Sequence, residues 1–82
     1  MNFGEAIEAL KSGKKVAREG WNGKGMYLYL ADGDLLTDAI GDGSFPFIDT
    51  IVIKTVDNKY CIGWIASQTD MLAEDWNIVD RR

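Results

Sequence analysis

The chain has 82 residues and a formal net charge of −4; it is 46% hydrophobic, 27% charged and 11% aromatic, with one cysteine and no histidine. That length holds one domain, residues 1–82, with a thin core, and the aromatic content argues against disorder. The lone Cys61 excludes a disulfide framework and a cysteine-rich zinc site, and without histidine no Ser–His–Asp or Cys–His nucleophile can be built; an enzyme using only carboxylates, lysine and tyrosine stays open, but no residue is assigned a catalytic or metal-ligating role.

Asn2 opens the chain's first helix, and Glu5 three residues later completes a capping box. Phe3, Ala6, Ile7 and Leu10 recur at helical spacing, and Gly13 is the expected stop. Lys14 to Arg18 reads as a short strand. Glu19 to Gly25 is a loop with three glycines, and Met26 to Leu30 is a strand apolar on both faces. Ala31 to Ser44 carries four aspartates and three glycines and reads as a solvated acidic loop. Its aspartates miss the spacing of a calcium loop. Phe47 to Val56 is the most strand-like run, rich in β-branched residues. Asp57-Asn58 is a turn, and Tyr60 to Trp64 returns as the hairpin partner, with Cys61 expected to be buried and inert. Ser67 caps a short helix that runs to Leu72 or Ala73, with Asp70 at the box position. Trp76 to Val79 closes as a strand. The class is α+β: a small, mostly antiparallel sheet with an N-terminal helix and a short second helix, in the order α-β-β-β-β-α-β.

Charge is uneven. Residues 1–25 hold five basic and three acidic side chains, and residues 26–82 hold four and ten. An acidic chain with no basic run makes duplex nucleic acid a poor partner. No run approaches the roughly eighteen apolar residues of a membrane span, and no signal peptide opens the chain, so a cytoplasmic protein without a membrane partner is expected.

Two constellations stand out. Trp21 sits in the glycine-rich loop, followed by Asn22, Gly23, Lys24 and Gly25. One reading is a stacking platform for a base or sugar, with Asn22 reading polar edges and Lys24 meeting a phosphate. The other is a turn lid folded back on a small core. The second constellation is Trp64 followed by Ser67, Gln68, Thr69 and Asp70, where a strand gives way to a helix. Three polar side chains there suit a ribose or an anion, whereas Asp70 repels phosphate and suits a hydroxyl or an amine. The plain alternative is a well-capped helix and no more. Tyr27, Tyr29 and Tyr60 fit a sheet face or a subunit interface.

The run from Asn2 to Met26 and the run Trp64-Ile-Ala-Ser-Gln-Thr-Asp-Met-Leu-Ala-Glu-Asp-Trp76 together cover 38 residues. Their order and spacing resemble a family of short phage and prophage proteins, and Pro46-Phe47-Ile48 between them also fits. That family includes the second type of Thoeris anti-defense protein. The resemblance implies a protein that is not an enzyme and needs no cofactor. It implies sequestration of a cyclic nucleotide second messenger, of the glycocyclic ADP-ribose type or a cyclic dinucleotide. It further implies a homotetramer with the ligand between protomers. On that reading Trp21, Asn22, Lys24, Trp64, Ser67, Gln68, Thr69 and Asp70 are the ligand-binding residues. The segment between the two runs, Tyr27 to Gly63, is short for the family, and ligand choice is expected to depend on it. The competing expectation is a phage interaction module whose Trp21 and Trp64 meet another polypeptide, with no nucleotide ligand.

Overall fold

The computed structural model describes residues 1–21 and 24–79. Helix α1 spans Phe3–Lys11. Its capping box is closed at both ends: Glu5 N–H donates to Asn2 Oδ1 and Asn2 N–H to Glu5 Oε1, each at 2.8 Å. Gly13, with φ +87°, turns the chain out of the helix in the left-handed region that glycine enters without steric cost. Strands β1 (Lys15–Arg18), β2 (Tyr27–Ala31), β3 (Thr50–Lys54), β4 (Tyr60–Ile62) and β5 (Trp76–Val79) form one sheet in the order β4-β3-β2-β1-β5. Every pairing is antiparallel.

Register decides what each face carries. Val16 lies opposite Leu28 and Ile78, Leu28 opposite Ile53, and Leu30 opposite Ile51. These residues share one face, and α1 packs across β1, β5 and β2 on that side. Ala6, Ala9 and Leu10 of α1 meet Val16, Leu28 and Trp76 as the buried core. The alternate residues of the same strands, Lys15, Tyr27, Tyr29, Val52 and Lys54 among them, occupy the second face. There Tyr27 is buried, its ring flanked by the ammonium groups of Lys15 at 5.3 Å and Lys54 at 6.0 Å. Its hydroxyl lies 3.0 Å from that of Tyr60, and Tyr60 meets Tyr29 edge to face.

Three expectations change. The segment read as an acidic loop contains a helix, α2, over Gly33–Ile40. Asp32 is its N-cap, accepting from Asp34 and Leu35 N–H groups at 2.7 and 3.3 Å. The order is therefore α-β-β-α-β-β-α-β. The strand read over Phe47 to Val56 is confined to β3, because the backbone of 47–49 is drawn against Gly33. Gly33 N–H donates to Asp49 Oδ1 at 2.8 Å, and Phe47 N–H donates to Thr37 Oγ1 at 2.8 Å. Cys61 is exposed, since β4 is an edge strand beyond the reach of α1. The third helix, α3, covers Gln68–Leu72, with Ser67 as N-cap and Asp70 closing the box. No helix among the described residues is long and apolar enough to cross a membrane.

Candidate functional site

Arg18 ends β1 directly opposite Trp76 on β5. That position aims its guanidinium at α3, where it joins two carboxylates. Arg18 Nε donates to Asp75 Oδ1 at 2.8 Å and Nη1 to Asp70 Oδ1 at 2.9 Å. The Arg18 and Asp70 side chains are only 14% and 13% exposed. Asp75 Oδ2 accepts from Gly20 N–H at 2.8 Å, which ties the start of the Trp21 loop to the connection between α3 and β5. Asp70 is the hub. Its Oδ1 also accepts from Trp21 Nε1 at 3.3 Å, its Oδ2 accepts from Ser67 N–H at 3.0 Å, and its carbonyl accepts from Trp76 Nε1 at 3.0 Å.

These bonds set the charges. Burial alone would raise the pKa of Asp70, but the Ser67 amide, Arg18 and Trp21 outweigh it and bring the group below the ordinary aspartate value. Asp75 is lowered chiefly by its hydrogen bond from Arg18, and Arg18 is raised chiefly by Asp75. Both carboxylates are ionised at neutral pH. Three of the roughly four lone-pair positions of Asp70 are filled within the protein. Asp70 thus positions its neighbours first and has little capacity left for a ligand.

The tryptophans form a cluster of their own. Trp21 meets Trp76 at 5.4 Å and Trp64 at 6.3 Å between ring centroids, and Trp64 meets Trp76 at 6.2 Å, all edge to face. Such pairs stabilise by about 0.5–1.5 kcal/mol beyond their buried area. Trp76 is buried, while Trp21 and Trp64 are partly open. Trp21 therefore both packs on the core and offers surface outside it. Ser67, Gln68 and Thr69 are exposed beside the cluster, on the cap and first turn of α3. The described residues also form grooves away from this cluster. One of about 400 Å³ lies between α1 and β3, floored by Ile7, Leu10, Leu30 and Ile51, and the tryptophan cluster does not line it.

Residues 1–79 match the Thoeris anti-defense 2-like domain along nearly the whole chain. The chain belongs to that family. A curated relative from Bacillus phage SP01, named Thoeris anti-defense 2, is 51% identical over 85 residues, covering 96% of this chain and 94% of the relative.

Of the residues expected to bind a ligand, the fold brings Trp21, Trp64, Ser67 and Asp70 into one connected cluster, with Gln68 and Thr69 on the same helical turn. Lys24 is exposed in the turn before β2 and pairs with no carboxylate among the described residues. Asn22 lies outside the described residues. Sequence reasoning missed Arg18 and Asp75, which hold the cluster together. A basic residue closing a strand just before a glycine loop carries no local signal for its partner, 57 residues away for Asp75.

Proposed function

We propose that this protein is a phage anti-defense protein that binds a cyclic nucleotide second messenger and sequesters it intact. The ligand class is glycocyclic ADP-ribose, with cyclic dinucleotides as the second class. The observation that carries this reading is the meeting of Trp21 and Trp64 with Ser67, Gln68 and Thr69 in one exposed patch. Family membership supplies the anti-defense setting. An open indole face stacks on a base, a contribution of about 1–3 kcal/mol. The hydroxyls and the Gln68 amide suit ribose and phosphate oxygens, and Lys24 brings a point charge. Asp70 and Arg18 hold the platform still, which lowers the ordering cost of binding.

On one protomer Ser67, Gln68 and Thr69 stand exposed to solvent. Enclosure of a nucleotide calls for a second copy, in keeping with a homo-oligomer, a tetramer, that closes the site between protomers. Sequestration also requires that nothing cleaves the ligand, so the protein acts by holding and not as an enzyme.

Calorimetric titration tests the reading, with glycocyclic ADP-ribose, cyclic dinucleotides, and NAD and ADP-ribose as controls. Heat denaturation of the complex follows, with chromatography of the released nucleotide. Tight binding of a cyclic nucleotide and its recovery unaltered is the expected result. Recovery of a cleaved product, or no binding by folded protein, overturns it.

A further inference from the structure

The segment from Asp32 to Asp49 has an unusual composition for a surface. It carries five aspartates and no lysine or arginine. It also exposes large apolar side chains: Phe45 and Ile48 are each 84% exposed, with Leu35 and Ile40 also open. Helix α2 packs against no other element to the extent that α1 does. Yet the segment is held in shape. Asp32 caps α2, Thr37 Oγ1 donates to Gly33 carbonyl at 2.8 Å and accepts from Phe47 N–H, and Asp49 accepts from Gly33 N–H. A preshaped apolar segment left in water is the usual mark of an interaction surface.

The charge of the segment selects its partner. Two such segments face to face would bring ten carboxylates together, so segment-on-segment pairing is disfavoured. The second face of the sheet has the opposite character. Its strand residues include Lys15 and Lys54 and no carboxylate. Neither lysine pairs with a carboxylate among the described residues. Tyr60 and Ile62 stand exposed beside them on the edge strand β4.

We propose that residues 32–49 of one protomer dock on the Lys15–Lys54–Tyr60–Ile62 face of a second copy of this chain, and that the exchange is reciprocal. Apolar side chains of the segment cover Tyr60 and Ile62, while Asp34 and Asp38 approach the two lysines. Reciprocity gives a closed two-fold pair, because each protomer offers one segment and one face. Eighteen residues of segment plus the receiving face fall within the roughly 20–30 residues per side of a stable interface. The inference deepens the homo-oligomer of the proposed function by assigning one of its interfaces. It does not depend on which nucleotide is bound.

Charge exchange tests it, by sedimentation equilibrium in about 50 mM salt with no nucleotide present, where exposed charges are less screened. Asp34→Lys with Asp38→Lys reverses the charge at the two positions that approach the lysines and takes the segment from five negative charges to a net of one. Lys15→Glu with Lys54→Glu makes the face acidic. Each double variant alone is expected to lose at least half the wild-type mass. Mixed one to one, they are expected to recover it, since both contacts of the mixed pair are then of opposite sign. Phe45→Ser with Ile48→Ser changes only exposed side chains and is expected to lower the mass at least twofold with the circular dichroism spectrum kept. A monomeric wild-type protein, an unchanged mass for the Phe45/Ile48 variant, or folded charge variants that do not recover on mixing would each overturn the assignment. If Lys15→Glu with Lys54→Glu does not fold, the Phe45/Ile48 variant decides. The nucleotide titration is separate: an assembly that binds nothing refutes the sequestration reading alone, and a monomer that binds leaves sequestration standing while refuting this interface and the site closed between protomers.

Discussion

Trp21 has two duties at the scale of single residues, and they constrain how it is tested. Its ring is packed against Trp76, so removing it weakens the fold as well as any stacking. Trp21→Ala is expected to cost about 1–3 kcal/mol of stability, less than the loss of a fully buried ring. It is also expected to weaken nucleotide binding at least tenfold, or about 1.4 kcal/mol. Trp21→Phe keeps an aromatic face but gives up the hydrogen bond to Asp70, a loss of about 1 kcal/mol, together with part of the ring's packing on Trp76. Titration of both variants at a temperature where each is folded separates the two effects; equal affinity for Trp21→Ala and wild type would end the stacking role. Asp70 and Asp75 make a different prediction. Both have folded pKa values lowered from about 3.9. Below that value the unfolded chain binds protons that the folded one refuses, so stability is fully present above about pH 4 and falls as the pH drops through the folded values. Thermal unfolding between pH 6 and 2 should show this decline. Asp75→Asn, which cannot titrate, should make it shallower, and an unchanged slope would remove the Arg18 clamp from the account.

The elements differ in how openly they announce themselves. Helix α1 was legible because cap, box, apolar stripe and glycine stop all agree in one short run. Helix α3 was legible through a second capping box, Ser67 with Asp70. Helix α2 was not. Its aspartates and glycines imitate a loop, and its apolar residues, Leu35, Leu36, Ala39 and Ile40, follow a helical period that faces no core. The signal present was Asp32 as a cap followed by that period. Strand β3 was overextended because β-branched composition does not reveal that the chain before it is tied to Gly33. For the site, Trp21 and the α3 turn could be picked out as separate constellations. Their contact could not, because it depends on Arg18 reaching Asp70 and Asp75 across the sheet. Two substitutions probe α2. Asp32→Ala removes the cap and should cost about 1 kcal/mol. Gly33→Ala should cost more, about 1–3 kcal/mol, because a Cβ there runs into the Phe47 carbonyl and the backbone of Ile48 and Asp49. Thermal unfolding by circular dichroism measures both, and a Gly33→Ala protein as stable as wild type would contradict the close approach.

The whole molecule is extended for its size, 40 × 26 × 24 Å, with a core of few large side chains. A chain that leaves Phe45, Ile48 and Ile65 in water gains from association, and association links stability to concentration. The melting temperature should rise as the protein is concentrated from micromolar to hundreds of micromolar. A temperature independent of concentration would mean that the folded unit needs no partner. Ligand adds to this in the same way: at 100 times its dissociation constant a nucleotide contributes about 2.7 kcal/mol, several degrees for a domain of this length. The tryptophan cluster has one more consequence, and it is optical. All three indoles of the chain stand within 6.3 Å of one another, so excitation of any one is shared among them. The ultraviolet emission of the entire protein thus issues from a single spot. A base settling on Trp21 would dim all of it, which makes the unlabelled protein its own indicator dye.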